Sequence, residues 1–284
     1  MKGLCLFHKE RTPSMRLNDA KGTYHCFGCG ASGDVVTIVM NHMGMTFVDA
    51  LKWLGAAELP PVDPAERAKA LEGERQARLQ SVRDAVDFFT RSIPVEAGDM
   101  VSRYLRARGI TDLPPSSIRF GMLPKRQDKE TGVWGPEHPC MVGGCQDREG
   151  RVVGIQRVFF RDDNPDLGKA AVKLSLGQVK GAALWLGPPM DHINITEGPE
   201  DGLSLRQMMP DRTTVVAFGT GLMPSIGYPP IVTDQTIAGQ NNAAGKEAVR
   251  KAGEALLAQG YSVRETFPPE DFDDWNDWLR GIRK

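Results

Sequence analysis

The chain has 284 residues, 40% of them hydrophobic, and a formal net charge of −1. That length accommodates one large or two to three small domains, and the ordinary hydrophobic content allows a real core without disulfides. Near-neutral charge excludes bulk attraction to nucleic acid, so any phosphate-binding surface is local.

The first element is a pair of ligand pairs, Cys5-Leu-Phe-His8 and Cys26-Phe-Gly-Cys29. Two residues between the members of each pair let one tight knuckle present two ligands to one ion. Four protein ligands close a tetrahedron, so the pattern points to structural zinc, with Gly28 and Gly30 expected at positive φ in the turn. Such a site uses three of the five cysteines and leaves Cys140 and Cys145 as ordinary thiols. Zinc-bound thiolates imply a reducing, cytoplasmic setting. No apolar run approaches the roughly 20 residues of a membrane span. Met1-Lys2-Gly3 leads straight into the knuckle, so no secretion signal and no membrane partner are expected. Lys9, Arg11, Arg16 and Lys21 lie near Tyr24 and Phe27. Cations beside aromatics suit a single strand, and the same aromatics equally suit the core of a small ribbon.

Residues 14–26 read as two short strands around a turn at Asp19–Gly22. Asp34 caps one helix, Thr46 precedes a second, and Pro60, Pro61 and Pro64 mark a linker. Asp63-Pro64-Ala65-Glu66 opens a charged helix whose later part carries an apolar stripe at Leu79, Val82, Val86, Phe89 and Ile93. Mixed short strands and turns begin near Val95. From His192 the chain alternates: strand Ile193–Thr196, helix Asp201–Met209, strand Thr213–Ala217, strand Thr233–Ala238, helix Gly245–Gln259, strand Tyr261–Phe267. That alternation predicts a parallel sheet covered on both faces.

In such sheets ligands bind beyond the carboxyl ends of the strands. Ile195-Thr-Glu197-Gly-Pro-Glu-Asp201 places acids there, ahead of a helix. A capping role is the plain alternative for them. Asp271, Asp273, Asp274 and Asp277 follow the last strand at the same edge, so Asp273 or Asp274 is expected beside Glu197.

These segments together resemble the DnaG-type DNA primases of bacteria and phages. The carriers are Cys5-Leu-Phe-His8-Lys-Glu-Arg-Thr-Pro-Ser14, Tyr24-His-Cys-Phe-Gly-Cys-Gly30 with Gly33-Asp34, and Thr46–Leu51. Further carriers are Arg103–Ile110, Gly150–Arg157, Val172–Ser175, Val179–Gly181, the Glu197 segment and Val216–Thr220. The resemblance selects His8 over His25, so the zinc set is Cys5, His8, Cys26 and Cys29. It implies an α/β chain (α+β overall). Its parts are a zinc ribbon at 1–57, a linker helix at 58–95, a basic mixed α+β subdomain at 96–190 and a C-terminal Toprim parallel-sheet domain at 191–284.

The resemblance implies catalytic acids Glu197 and Asp201, and Arg157, Lys173 and Lys180 as cations facing them across a groove. It implies a DNA-directed RNA polymerase that makes primers on single-stranded DNA from ribonucleoside triphosphates, using magnesium or manganese, beside a replicative helicase in trans. The family's Asp-x-Asp is replaced by Gln240 and Asn242, with Gly245 opening the next helix; Asp234 and Thr236 give a poorer register. Two charges are then missing from the metal site, with Asp273 or Asp274 expected to restore part of them. An alternative is a primase-like protein that binds single strands without synthesis. No helicase or helicase-binding domain follows, a compactness that resembles phage or mobile-element primases.

Overall fold

The computed structural model describes residues 2–10, 12–26, 28–55, 64–128 and 130–284. Arg11, Phe27, Pro60, Pro61 and the expected cap Asp63 lie outside the described residues. The chain divides into two compact units, Met1–Ala70 and Leu71–Lys284.

The first unit contains β1 (Lys2–Gly3), β2 (Met15–Asn18), β3 (Thr23–Cys26) and β4 (Ser32–Asp34), an antiparallel sheet in that order. Between β2 and β3, Asn18 caps a short 3-10 turn and Gly22 leaves it at φ 60°, so the hairpin reverses where the sequence places its turn. Two helices follow, α1 (Val35–Met43) and α2 (Phe47–Trp53). Asp34 Oδ1 accepts from Thr37 N at 2.8 Å, so the expected cap forms, and Thr46 Oγ1 caps the second helix by accepting from Asp49 N at 3.3 Å. Tyr24 is buried among Met15, Cys26 and Phe7, its ring 5.6 Å from that of Phe7. Tyr24 is therefore core, and no base can stack on it.

The second unit opens with α3 (Pro64–Arg91), in which the unit boundary falls. After it come β5 (Ile93–Pro94), α4 (Met100–Ala107), β6 (Ile118–Pro124), β7 (Glu137–Gln146), β8 (Val152–Phe160) and β9 (Ala170–Gly177). The five strands form one antiparallel sheet in sequence order. Alternate side chains of β7 and β8 serve two cores. Cys140, Val142, Ile155 and Phe159 face Ala85, Phe88 and Phe89 of α3. Met141, Val158 and Phe160 instead join Val101, Tyr104 and Leu105 of α4. The expected stripe holds only in part: Phe89 is buried, but Leu79 and Val86 are exposed, Ile93 is exposed in β5 beyond the helix, and Ala85 and Phe88 complete the buried face. Small Ala85 lies on the packed face, which a count of large apolar residues passes over.

The rest of the unit is β10 (Leu184–Trp185), β11 (His192–Thr196), α5 (Pro199–Met208), β12 (Thr213–Val216), β13 (Asp234–Ala238), α6 (Ala243–Ala258), β14 (Ser262–Thr266) and α7 (Trp275–Arg280). The sheet order is β10-β12-β11-β13-β14; β10 runs antiparallel and the other four strands are parallel. Val249, Ala252 and Leu256 of α6 pack on Ile193, Ile195 and Ile237, while Leu203 of α5 packs with Val216 on the opposite face. Gly202 allows the close approach of α5, because a Cβ there would meet Val216 Cγ2 at 2.6 Å. Among the described residues no helix is long and apolar enough to cross a membrane.

Candidate functional site

Two sites emerge, one in each unit. In the first, ligand atoms of Cys5, His8, Cys26 and Cys29 all lie within 4.8 Å of one another. A tetrahedral ion with Zn–S bonds of about 2.3 Å needs S–S edges of about 3.8 Å. Cys5 Sγ and Cys29 Sγ are 3.7 Å apart, and Cys26 Sγ is 3.8 Å from His8 Nδ1. The donor set therefore fits zinc. Backbone N–H groups of Phe7, Gly28 and Cys29 donate to the sulfurs at 3.3–3.4 Å. Burial pushes the Cys26 thiol up, but the Ser14 hydroxyl and the N–H groups of Cys29 and Gly28 outweigh it, to about 6.

Gly28 differs from expectation. It is not in the left-handed region, as Gly30 is at φ 75°; a Cβ on Gly28 would instead come within 2.8 Å of the His8 ring. Glu10 is a residue the sequence did not single out. Its Oε1 accepts from the N–H of Cys5 at 2.8 Å and of Ser14 at 3.0 Å, and its Oε2 lies 3.2 Å from His8 Nε2. A carboxylate on the outer imidazole nitrogen orients the inner one toward a metal. Hydrogen bonding from Ser14, above all, holds Glu10 below the usual carboxylate range.

The second site is a cleft of about 290 Å³ at the carboxyl ends of the parallel strands. Arg108, Gln156, Lys173, Glu197, Gly198, Pro199, Glu200, Asp201, Phe218, Gln240 and Asp274 line it. Glu197 follows β11 and is exposed, with Thr220 Oγ1 donating to its Oε2 at 3.1 Å. Pro199 occupies the first turn of α5, where its missing N–H is harmless. Phe218 follows β12 at φ 58°, an uncommon conformation for a bulky side chain.

Asp201 is 6% exposed and accepts from Asn276 N at 3.1 Å. Burial, then the charge of Asp274, pushes its carboxyl up to about 7, against the pull of the Asn276 N–H and the Gln240 amide. Buried Glu200 behaves oppositely. Tyr104 donates to its Oε1 at 2.7 Å and Lys173 Nζ to its Oε2 at 2.6 Å. Burial raises this carboxyl, yet the Lys173 charge and the two hydrogen bonds hold it below the usual range. Glu200 is thus the group that fixes Lys173 in the cleft.

The structure sorts the sequence-derived residues. Glu197, Asp201, Gln240, Asp274 and Lys173 share the cleft. Asn242 does not line it; its side chain caps α6, accepting from Gly245 N at 2.7 Å. Asp273 also lies elsewhere, its Oδ1 3.3 Å from Lys284 Nζ. Asp234 opens β13 at the opposite strand end and pairs with Arg264 at 2.7 Å, which removes the poorer register.

Arg157 is a correction. It is 3% exposed on the α3 side of β8, donates to Pro124 O, and lies near the rings of Phe88, Trp134 and Phe159. The pleat turns its neighbour Gln156 to the cleft instead. Lys180 is exposed in the turn after β9 and does not line the cleft. The cation that joins Lys173 there is Arg108, at the C-cap of α4. Arg108 lies inside the Arg103–Ile110 segment already singled out, but nothing in that run marks which arginine turns inward.

Residues 1–63 match the CHC2 zinc finger, 80–186 a domain of unknown function (DUF7146), and 192–282 the Toprim domain. The fold and sites define a chain that joins a CHC2 zinc finger to a Toprim domain. In this pairing of domains the chain is similar to the DnaG-type primases. A DNA primase of Deinococcus radiodurans is 40% identical over 130 residues, covering 45% of this chain and 21% of that protein. One of Lactococcus lactis is 32% identical over 127 residues, covering 44% of this chain and 20% of that protein. The match therefore spans about a fifth of these relatives' length. The Aquifex aeolicus primase structure, of zinc-binding and RNA polymerase domains, is similar in fold: TM-score 0.50 at 19% identity, over 99% of this chain and 75% of that one.

Proposed function

We propose that this chain is a DNA primase that synthesises RNA primers on single-stranded DNA from ribonucleoside triphosphates. The observation that carries this reading is the cleft, where four carboxylates and two amides face two cations beyond the ends of parallel strands.

The cleft fits a divalent cation. Burial, and after it the charge of Asp274, raises the Asp201 carboxyl, and hard carboxylate oxygens are what magnesium or manganese takes. Glu197, Asp201 and Asp274, with the Gln240 carbonyl, would hold the ion. Bound there, it would neutralise phosphate oxygens. Lys173 and Arg108 would bind the triphosphate and template phosphates, with Lys173 held in place by Glu200. The zinc finger would supply the template-binding module, its structural zinc held by Cys5, His8, Cys26 and Cys29.

The alternative, a single-strand-binding protein without synthesis, draws on the neutral Gln240. Asp274 in the same cleft supplies a charge that Gln240 lacks, so synthesis is the better reading. The test is primer synthesis on single-stranded DNA with labelled ribonucleotides and magnesium or manganese, comparing the natural chain with Glu197→Ala. Loss of a metal-holding carboxylate should cost several kcal/mol of transition-state stabilisation, so product should fall by at least about 100-fold with single-strand binding intact. No product from the natural chain, with binding intact, turns the conclusion to the binding protein.

A further inference from the structure

Two residues that line the cleft carry buried polar atoms without a hydrogen-bond partner, Arg108 at Nε and Gln156 at Oε1, and Gln156 is the acceptor. Gln156 is 8% exposed, and its Oε1 is buried with no hydrogen-bond partner. The side chain lines the cleft together with Lys173, Arg108 and the acids. The strand register explains its position. Gln156 pairs with Ser175 and Val158 with Lys173, so Gln156 and Lys173 stand on the same face of adjacent strands, one pleat repeat apart. Native proteins rarely bury a side-chain acceptor without a donor, and such a group at the wall of a substrate cleft marks a place where substrate supplies the donor.

We infer that Gln156 selects ribonucleotides by accepting a hydrogen bond from the 2′-hydroxyl of the incoming nucleotide. The inference rests on the primase reading of the same cleft. A chain that copies a template must accept all four bases, so a fixed acceptor has to meet a group that all four nucleotides share. The exocyclic amino groups fail that condition, because uracil has none. The sugar hydroxyls meet it, and only the 2′-hydroxyl separates ribonucleotides from deoxyribonucleotides. A triphosphate on Lys173 and Arg108 would carry its sugar into the same cleft, whose wall includes Gln156 on the strand next to that of Lys173.

The experiment measures the affinities of ATP, 2′-deoxy-ATP and 3′-deoxy-ATP by competition with a fluorescent ATP analogue in magnesium buffer. It compares the natural chain, Gln156→Leu and Gln156→Asn. A site that hydrogen-bonds a hydroxyl discriminates strongly against the analogue lacking it, whereas an apolar wall discriminates weakly. The natural chain should prefer ATP over 2′-deoxy-ATP by about 100-fold, and both variants should reduce that preference at least about tenfold by weakening ATP alone. In all three proteins 3′-deoxy-ATP should bind like ATP. If Gln156→Leu does not fold, Gln156→Asn, which keeps the amide but withdraws it by one methylene, carries the comparison. Equal binding of ATP and 2′-deoxy-ATP by the natural chain overturns the inference. So does an unchanged preference in the variants, or a preference that follows the 3′-hydroxyl. Ribonucleotide-selective binding without primer synthesis overturns the proposed activity and leaves the inference standing; binding of none of the three nucleotides overturns both.

Discussion

In the zinc knuckle four ligands come from one short stretch, Cys5 to Cys29, and their chemistry is complete within it. In the cleft the facing groups come from Arg108 to Asp274 near the end of the unit, with nine strands and two α-helices between them in sequence. The knuckle gathers soft donors that fit one ion, with a carboxylate, Glu10, behind them. The cleft gathers hard, mutually repelling acids, and it offsets them with a lysine clamped by a further acid. The difference is one of what would hold each site: a zinc ion at the first, the surrounding fold at the second.

The largest effect follows for the knuckle. Structural zinc supplies about 10–16 kcal/mol of folding free energy to small zinc-finger peptides, and the small core of Met15, Tyr24 and Cys26 cannot replace it. Metal analysis should find one zinc per chain at the knuckle. Chelation, or Cys26→Ser, should expose the first unit to proteolysis while the thermal transition of the second unit stays where it was. A knuckle that resists protease after the zinc is gone breaks the comparison.

The cleft responds to protons. The folded-state pKa of Asp201 stands at about 7, above its ordinary 3.8. Between those values the folded protein binds the extra proton, so stability falls as pH rises. The contribution of the neutral carboxyl is complete below about 4 and is lost as pH passes through 7. A shift of this size corresponds to about 4 kcal/mol, as an order of magnitude. Urea unfolding of the natural chain and of Asp201→Asn in metal-free buffer at pH 5 and pH 8 checks it. The asparagine variant should gain relative stability at pH 8 by a few kcal/mol, and added magnesium should narrow the gap by offsetting the repulsion. A gap that does not change with pH shows that Asp201 ionises freely, and the cleft is then less enclosed than its geometry states.

The same contrast governs what could be read in advance. The knuckle was legible because its ligands are spaced locally, and the parallel sheet was legible because its strands and helices alternate; β11 begins one residue from the expected start and ends where expected. Asp34 announced its helix by cap chemistry ahead of an apolar run, and the helix expected after Thr46 begins at Phe47. The cleft was legible only in part. Glu197 and Asp201 follow a strand end, a position the topology fixes. Glu200, between them, reads as a solvated helix-start acid until Tyr104 and Lys173 are brought to it from distant elements. Asn242 was expected at a metal and instead caps α6, a role asparagine fills with the same oxygen. On β8 the phase of the alternation was hidden, because nearly every position of the strand is buried on both faces. Arg157 and Gln156 therefore could not be told apart by pattern.

That last pair gives the smallest and sharpest prediction. Arg157 is buried and, among the described residues, has no carboxylate within ion-pair distance; its protein hydrogen bond goes to the Pro124 carbonyl and its Nε has no partner. Burial lowers its pKa, which shows that the charge is held at a cost. In Arg157→Met, loss of that desolvation cost stabilises the fold, and thioether contact with Phe88, Trp134 and Phe159 adds to it. The stranded Pro124 carbonyl costs about 1–3 kcal/mol in the other direction. The two nearly cancel, so the melting temperature should move by no more than a few degrees, and the nucleotide KM in primer synthesis should not move. Arg108→Met, on the cleft side, should raise that KM. If Arg157→Met raises KM as Arg108→Met does, then β8 presents its arginine to the cleft, and the pleat assigned to that strand is off by one residue.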